Sequence, residues 1–208
     1  MASDQKLKEG DRMMAEIESS NRAELLFFSD KAAVYKAKAS KFGNTKASDL
    51  GDYIPAVLGF DSGEGFSAMI ETMDYSGYLL FIYDNGKAAK VPLNAYETKT
   101  NRKKLSNAYC EKAGLVTILK LNDNAQVMLR TTNGRAMLFD TALLLPKTTR
   151  NTQGVQVMTL KAKNAKIEKA YIVSDEEAEK LSKFRSKTIP VAGCLAKDLQ
   201  DPDQLQLF

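Results

Sequence analysis

Residues 78–93 read YLLFIYDNGKAAKVPL. An apolar and aromatic run, Tyr78–Tyr83, meets the polar turn Asp84-Asn85-Gly86-Lys87 and gives way to a second run, AAKVPL. Aromatic and branched side chains suit a pleated, half-buried surface. Asn-Gly is the strongest short hairpin signal, because both central residues of a two-residue turn then take positive φ. The stretch predicts a β-hairpin. The same arrangement returns at 126–144 as QVMLR, TTNGR and AMLFDTALL, and at 24–39 as ELLFF, SDK and AAVYKAKA.

Outward from these hairpins the pattern keeps repeating. Further apolar runs stand before each one: MMAEI (13–17), FSAMI (66–70) and LVTIL (115–119). Each is read as pairing with the next run across a polar turn: ESSNRA, TMDYSG and KLNDNA. A fourth pair, VQVMTL (155–160) and IEKAYIV (167–173), is joined by KAKNAK. A polar, basic loop follows each of the first three units: KFGNTKAS (41–48), ETKTNRKKLS (97–106) and PKTTRNTQG (146–154). The period is about 50 residues, which points to propeller-like blades, each burying its faces against a neighbour. The expectation is an all-β array of about four four-stranded blades over 1–193, with repeats near 13–65, 66–114, 115–154 and 155–193. A two-sheet sandwich with coincidental spacing is the plainer alternative. At the C-terminal side, Ser174-Asp-Glu-Glu177 is a capping box that opens a short helix to about Phe184. TIPVAG (188–193) reads as an extended segment that closes a blade, and 194–208 as a loose acidic tail.

Composition narrows the chemistry. The 208 residues are 44% hydrophobic and 27% charged, ordinary for a globular protein. No apolar run approaches the roughly 20 residues of a membrane helix, and the opening MASDQKLKEGD has no apolar h-region. The expected location is the cytoplasm. Cys110 and Cys194 form no CxxC pair and read as reduced thiols. There is no histidine, which removes His-based acid–base catalysis, Ser-His and Cys-His pairs and most zinc sites. Carboxylate or lysine chemistry stays open, but no paired acids recur in a repeated context.

Charge is unevenly spread. The net charge is +4, yet residues 85–170 hold 16 Lys/Arg against 5 Asp/Glu, while residues 1–84 hold 9 against 14. Such asymmetry suggests a polyanionic partner. Lys46, then Lys99, Arg102, Lys103 and Lys104, then Lys147 and Arg150 lie in the three basic loops. Their cations, with neighbouring hydroxyl and amide donors, are what phosphate oxygens need. Duplex DNA carries one charge per about 1.7 Å of axis, so a basic track can hold it without reading bases. The plainer reading is a set of solvated loop cations. Tyr96 and Tyr109 flank the densest loop and are expected to anchor its ends in the core; stacking on single-stranded bases is the other use of such a pair.

The stretches ELLFFSDKAAVYKAK, GYLLFIYDNGKAAKVPL with YETKTNRKKL, and TTNGRAML leading to PKTTRNTQGV carry a resemblance. From about Leu7 to about Gly193 the chain resembles the C-terminal domain of the A subunit of DNA gyrase and topoisomerase IV. The resemblance implies a β-pinwheel, a propeller-like disc whose blades exchange strands and whose basic rim wraps double-stranded DNA. It implies as partners the remainder of the topoisomerase A subunit, together with the ATPase B subunit. ATP and Mg2+ would then be used elsewhere in the holoenzyme, with no cofactor in this chain. It also implies that the chain alone is not an enzyme, because no tyrosine stands in the family's Arg-Tyr cleavage context. Two departures stand out. The gyrase box Q-R-R-G-G-(K/R)-G is absent, and TKTNRKK is the nearest loop. Fewer repeats are visible than the five or six blades usual in the family. Either the first blade lies outside this chain, or the parent acts more like topoisomerase IV. A propeller-like protein-interaction module without DNA wrapping is the alternative function.

Overall fold

The computed structural model describes residues 16–46, 49–98 and 102–196. Its strands, in chain order, are β1 (Glu24–Ser29), β2 (Val34–Lys38), β3 (Phe66–Thr72), β4 (Tyr78–Tyr83), β5 (Lys87–Pro92), β6 (Lys104–Leu105), β7 (Leu115–Leu121), β8 (Gln126–Thr131), β9 (Arg135–Asp140), β10 (Val155–Gln156), β11 (Ile167–Val173), β12 (Arg185–Ser186) and β13 (Cys194–Leu195). The short helices α1 (Ile54–Leu58) and α2 (Asp175–Lys180) complete the regular structure, with several 3-10 turns. Ser174 caps α2: its hydroxyl accepts from the Glu177 N–H and the Glu177 side chain answers the Ser174 N–H, as the capping box predicts.

The three predicted hairpins form: β1–β2, β4–β5 and β8–β9. Their turns differ from the expectation in one respect. At Asp84-Asn85-Gly86 only the glycine has positive φ (83°), and its N–H donates to the Tyr83 carbonyl. Gly134 repeats this at φ 72°, and Ala32 holds the same place in the first hairpin at φ 50°. These are three-residue loops closed by one left-handed residue, the next commonest hairpin solution after the two-residue turn.

The strands before the second and third hairpins do not pair with them. β3 pairs with β1 and β7 with β4, and β11, after the third hairpin, pairs with β8, so each completes a sheet already begun. Alternation along a strand fixes its two faces, not its partner, and the polar links before β4 and β8 carry the chain onward rather than back. Among the described residues there are three sheets, ordered β3-β1-β2-β6, β7-β4-β5-β10 and β11-β8-β9-β12, with β13 also on β9. The blade boundaries at 66, 115 and 155 are therefore displaced. The expected fourth repeat, 155–193, forms no separate sheet: Val155–Gln156 joins the second and Ile167–Val173 the third. Of the run 13–17, residues 13–15 lie outside the described residues, and Glu16 and Ile17 are not in a strand.

Strand exchange fills the outer edges. β6 follows β5 in sequence yet pairs with β2, and β10 follows β9 yet pairs with β5. The register is the same in both: Leu105 faces Val34 and Val155 faces Ala88, each two residues past the left-handed residue of its turn. In the third sheet Cys194 of β13 faces Ala136, the corresponding position. The C-terminal segment thus folds back to supply the edge that an exchanged strand supplies elsewhere, with Val191 bridged to Met158 just before it. Of the expected loose tail 194–208, Cys194 and Leu195 are therefore strand, and residues 197–208 lie outside the described residues. Gly154 and Gly193 lead into these two edges at φ 70° and 66°. A Cβ there would stand 2.0 Å from the Ala88 carbonyl oxygen and 2.5 Å from that of Ala136, so only glycine permits the approach.

The chain divides into two compact units, Met1–Tyr75 with Tyr96–Ala108, and Ser76–Ala95 with Tyr109–Phe208. The first holds the β3-β1-β2-β6 sheet over a core of Phe27, Ala33, Tyr35 and Ala37, joined by Phe42, Ile54 and Phe60. The second holds the other two sheets around Leu80, Ile82, Leu129, Met137, Phe139 and Met158. Five consecutive residues of β4, Leu79–Tyr83, are buried. A strand covered on both faces reads as a continuous apolar run, and each large side chain so buried contributes about 1.5–3 kcal/mol.

Candidate nucleic-acid interface

Basic loops need fixed ends before their charges can act together. Tyr96 is fully buried, packs edge-on to Phe28 at 5.6 Å and donates its hydroxyl to the Ala108 carbonyl at 2.7 Å. Tyr109 is buried and stacks on Phe81 at 5.9 Å. Both tyrosines are anchors as expected, and neither offers an open face to a base.

After the loop the chain is strapped along β2. The Lys36 N–H donates to the Lys103 carbonyl at 2.8 Å, and the Ala108 N–H to that of Ala32 at 2.7 Å. Lys104 then turns inward. Its ammonium lies 2.6 Å from Asp61 and 3.6 Å from Glu64, and 4.9 Å over the Tyr35 ring. The hydrogen bond to Asp61 is the main reason its pKa is raised. Glu64 is buried and accepts from the Ser29 hydroxyl, the Tyr35 hydroxyl and the Asp61 N–H. Burial alone pushes its carboxyl up, but those hydrogen bonds and the Lys104 charge outweigh it and hold the pKa below the ordinary value. Lys104 is thus a tether of the strap, with its charge already matched.

Arg102 and Lys103 are exposed and form no ion pair among the described residues. They line a cleft of about 310 Å³ together with Lys36, Lys38, Lys41 and Glu24. The Lys36 side chain is only 7% exposed; its ammonium donates to the Thr98 hydroxyl at 3.1 Å, lies 3.6 Å from Glu24 and sits over the Tyr75 ring at 4.9 Å. Glu24 also accepts from the Tyr75 hydroxyl. Lys41 donates to the Val57 carbonyl at 2.9 Å, which ties it to α1.

The remaining predicted positions fall elsewhere. Lys46 is exposed, with its N–H on the Asp49 carboxylate at 3.0 Å, and does not line the cleft. Lys99 lies outside the described residues. In the second unit Lys147 is half-buried with its N–H on the Lys90 carbonyl at 2.8 Å, and Arg150 is half-buried with its guanidinium on the Ala95 carbonyl at 2.8 Å. Lys90 holds in the second sheet the place of Lys36 in the first, opposite Leu80 as Lys36 is opposite Leu26. It is buried, bonded to Asn124 at 2.7 Å and set over the Tyr78 ring at 4.7 Å; burial lowers its pKa.

The sequence reading missed Lys36, Lys38 and Lys41. The signal for the first two was the alternation in VYKAK: Lys36 and Lys38 are two apart and so share one face of β2. What brings Arg102 and Lys103 to that face is β6, whose pairing with β2 joins residues nearly 70 positions apart.

Comparison with known proteins agrees with the resemblance. A family model described as the DNA gyrase C-terminal domain, beta-propeller, matches residues 23–51 and 125–174. The A subunit of a probable chloroplastic/mitochondrial DNA gyrase from Oryza sativa subsp. japonica is 29% identical over 139 residues, 66% of this chain and 15% of that protein. The DNA gyrase A subunit of Mycoplasma genitalium is 26% identical over 143 residues, 66% of this chain and 17% of that protein. The chain thus spans about a sixth of the length of these relatives. Among solved structures, the C-terminal domain of a DNA topoisomerase IV superposes with a TM-score of 0.78 at 24% identity, covering 93% of this chain and 64% of that one. The fold is the all-β, strand-exchanged β-pinwheel.

Proposed function

We propose that this chain, which is similar to the C-terminal domain of the DNA gyrase and topoisomerase IV A subunits, is a DNA-binding and DNA-wrapping domain without catalytic residues of its own. It holds the backbone of duplex DNA through cations on its basic loops and so helps a type IIA topoisomerase control DNA topology. Its partners are double-stranded DNA, the ATPase B subunit, plus the rest of the A subunit. ATP and Mg2+ act in those other parts, and the setting is the bacterial cytoplasm at the nucleoid.

The observation that carries this reading is the exposed pair Arg102–Lys103, held on a strap whose other lysine, Lys104, is matched by Asp61 and Glu64. A strap that spends one cation on its own fixation and presents the next two to solvent suits a sequence-blind contact with phosphates. The test is binding of short duplexes of unrelated sequence over a series of salt concentrations. Similar affinities on every sequence are expected, with log Kd linear in log salt at a slope of about 0.9 per phosphate neutralised. Absence of duplex binding at low salt, together with capture of a protein partner, would favour the interaction-module alternative.

A further inference from the structure

We infer that the cleft between β2 and the Arg102–Lys103 strap is a seat for a single phosphodiester group of duplex DNA, closed around it by Lys38, Arg102 and Lys103. The inference rests on the DNA-binding reading and narrows it to one contact shared by three cations from two distant parts of the chain. The cleft is about 310 Å³, at the small end of the roughly 300–1,000 Å³ range of ligand sites. Five of its lining side chains are cationic and one, Glu24, is anionic.

The charges are not equivalent. Glu24 is matched from within the protein, by Lys36 at 3.6 Å and by the Tyr75 hydroxyl. Lys36 lies at the base of the site with its side chain 7% exposed; its ammonium donates to the Thr98 hydroxyl and pairs with Glu24 at 3.6 Å. Lys41 is tied to the Val57 carbonyl. Lys38, Arg102 and Lys103 are exposed and carry no ion pair among the described residues. Their three charges therefore border a cleft whose carboxylate is already matched. Arginine's planar fork suits two oxygens of one phosphate, and lysine adds point charge. The β2–β6 pairing and the Lys36 N–H bond to the Lys103 carbonyl bring the strap against β2, so the cations of the two elements need no chain rearrangement to share a ligand.

One shared phosphate has a signature that three separate contacts lack. Duplex affinity is measured against salt for the whole chain, for Lys38→Ala, for the double variant Arg102→Ala/Lys103→Ala and for the triple variant. A shared seat predicts that Lys38→Ala and the double variant each lower affinity several-fold and each reduce the log–log salt slope by about 0.9. The triple variant then loses about 0.9 as well, not the sum. Sodium pyrophosphate, added as a small competitor, is expected to compete with duplex on wild type and to lose that effect in Lys38→Ala. Pyrophosphate bound without any duplex binding would make the seat one for free phosphate instead. Additive losses of slope, or a Lys38→Ala chain that binds duplex like wild type, would overturn the shared seat while leaving the DNA-binding reading intact. A wild-type chain that binds no duplex would overturn both. The three side chains are exposed, so unchanged thermal melting of each variant separates lost contact from lost fold.

Discussion

The Lys104 ammonium stands 2.6 Å from an Asp61 carboxylate oxygen, across 43 residues of sequence, while its neighbours Arg102 and Lys103 face solvent. Three cations in a row thus divide into a tether and a pair that forms no ion pair among the described residues. Lys104→Ala is expected to destabilise the first unit by about 1 kcal/mol, since Asp61 is largely exposed and such pairs contribute little on their own. Arg102→Ala and Lys103→Ala are expected to leave the melting temperature unchanged and to weaken duplex binding. Melting curves beside binding isotherms check the division. Equal loss of binding and no loss of stability at Lys104 would remove it.

Glu64 makes a pH prediction with a definite sign. Its carboxyl is held below the ordinary value in the folded chain, so the unfolded chain binds the proton more readily. The stabilisation is present above the ordinary glutamate pKa of about 4.3, and is lost as pH falls through the folded value. Urea midpoints of wild type should fall across this acid window more steeply than those of Glu64→Gln. At neutral pH Glu64→Ala should cost about 1–3 kcal/mol or more, because the Ser29 and Tyr35 hydroxyls and the Asp61 N–H lose a buried acceptor.

Glycines at edges and at turns should respond differently to a methyl group. Gly134 has φ 72° but open space around a would-be Cβ, so Gly134→Ala should cost about 1–2 kcal/mol from the left-handed backbone alone. Gly154→Ala adds a clash at 2.0 Å with the Ala88 carbonyl oxygen and must push β10 off β5. Its loss of stability should be the larger by a clear margin in denaturant titrations, with amide exchange rising first at Val155 and Gln156.

The hairpins were legible because their information is local. In the second and third an apolar run, a glycine that accepts positive φ and a second run lie within about 15 residues, and in the first the polar turn Ser29-Asp30-Lys31 does the glycine's signalling. The buried tyrosines at 96 and 109 were legible for the same reason, as apolar bodies beside a polar loop. Strand partnership was not. FSAMI and LVTIL carry the alternation of strands, but nothing in alternation says that β3 turns to β1 rather than to β4. The exchange that seats β6 and β10 on earlier hairpins was legible through family resemblance and not through pattern. The site divides along the same line. Arg102 and Lys103 stand out as a charge cluster, whereas the withdrawal of Lys104 depends on Asp61 and Glu64, and the value of Lys38 depends on a pairing nearly 70 residues away.

The proposed wrapping of duplex DNA by this chain is tested most directly by ligating a nicked, relaxed plasmid in its presence, removing the protein and resolving the topoisomers. Wrapping predicts a shift in linking number that grows with protein-to-DNA ratio, shrinks as salt rises and is reduced by Arg102→Ala/Lys103→Ala. A topoisomer distribution identical to that ligated without protein, at salt where the chain is bound to the plasmid, would contradict it.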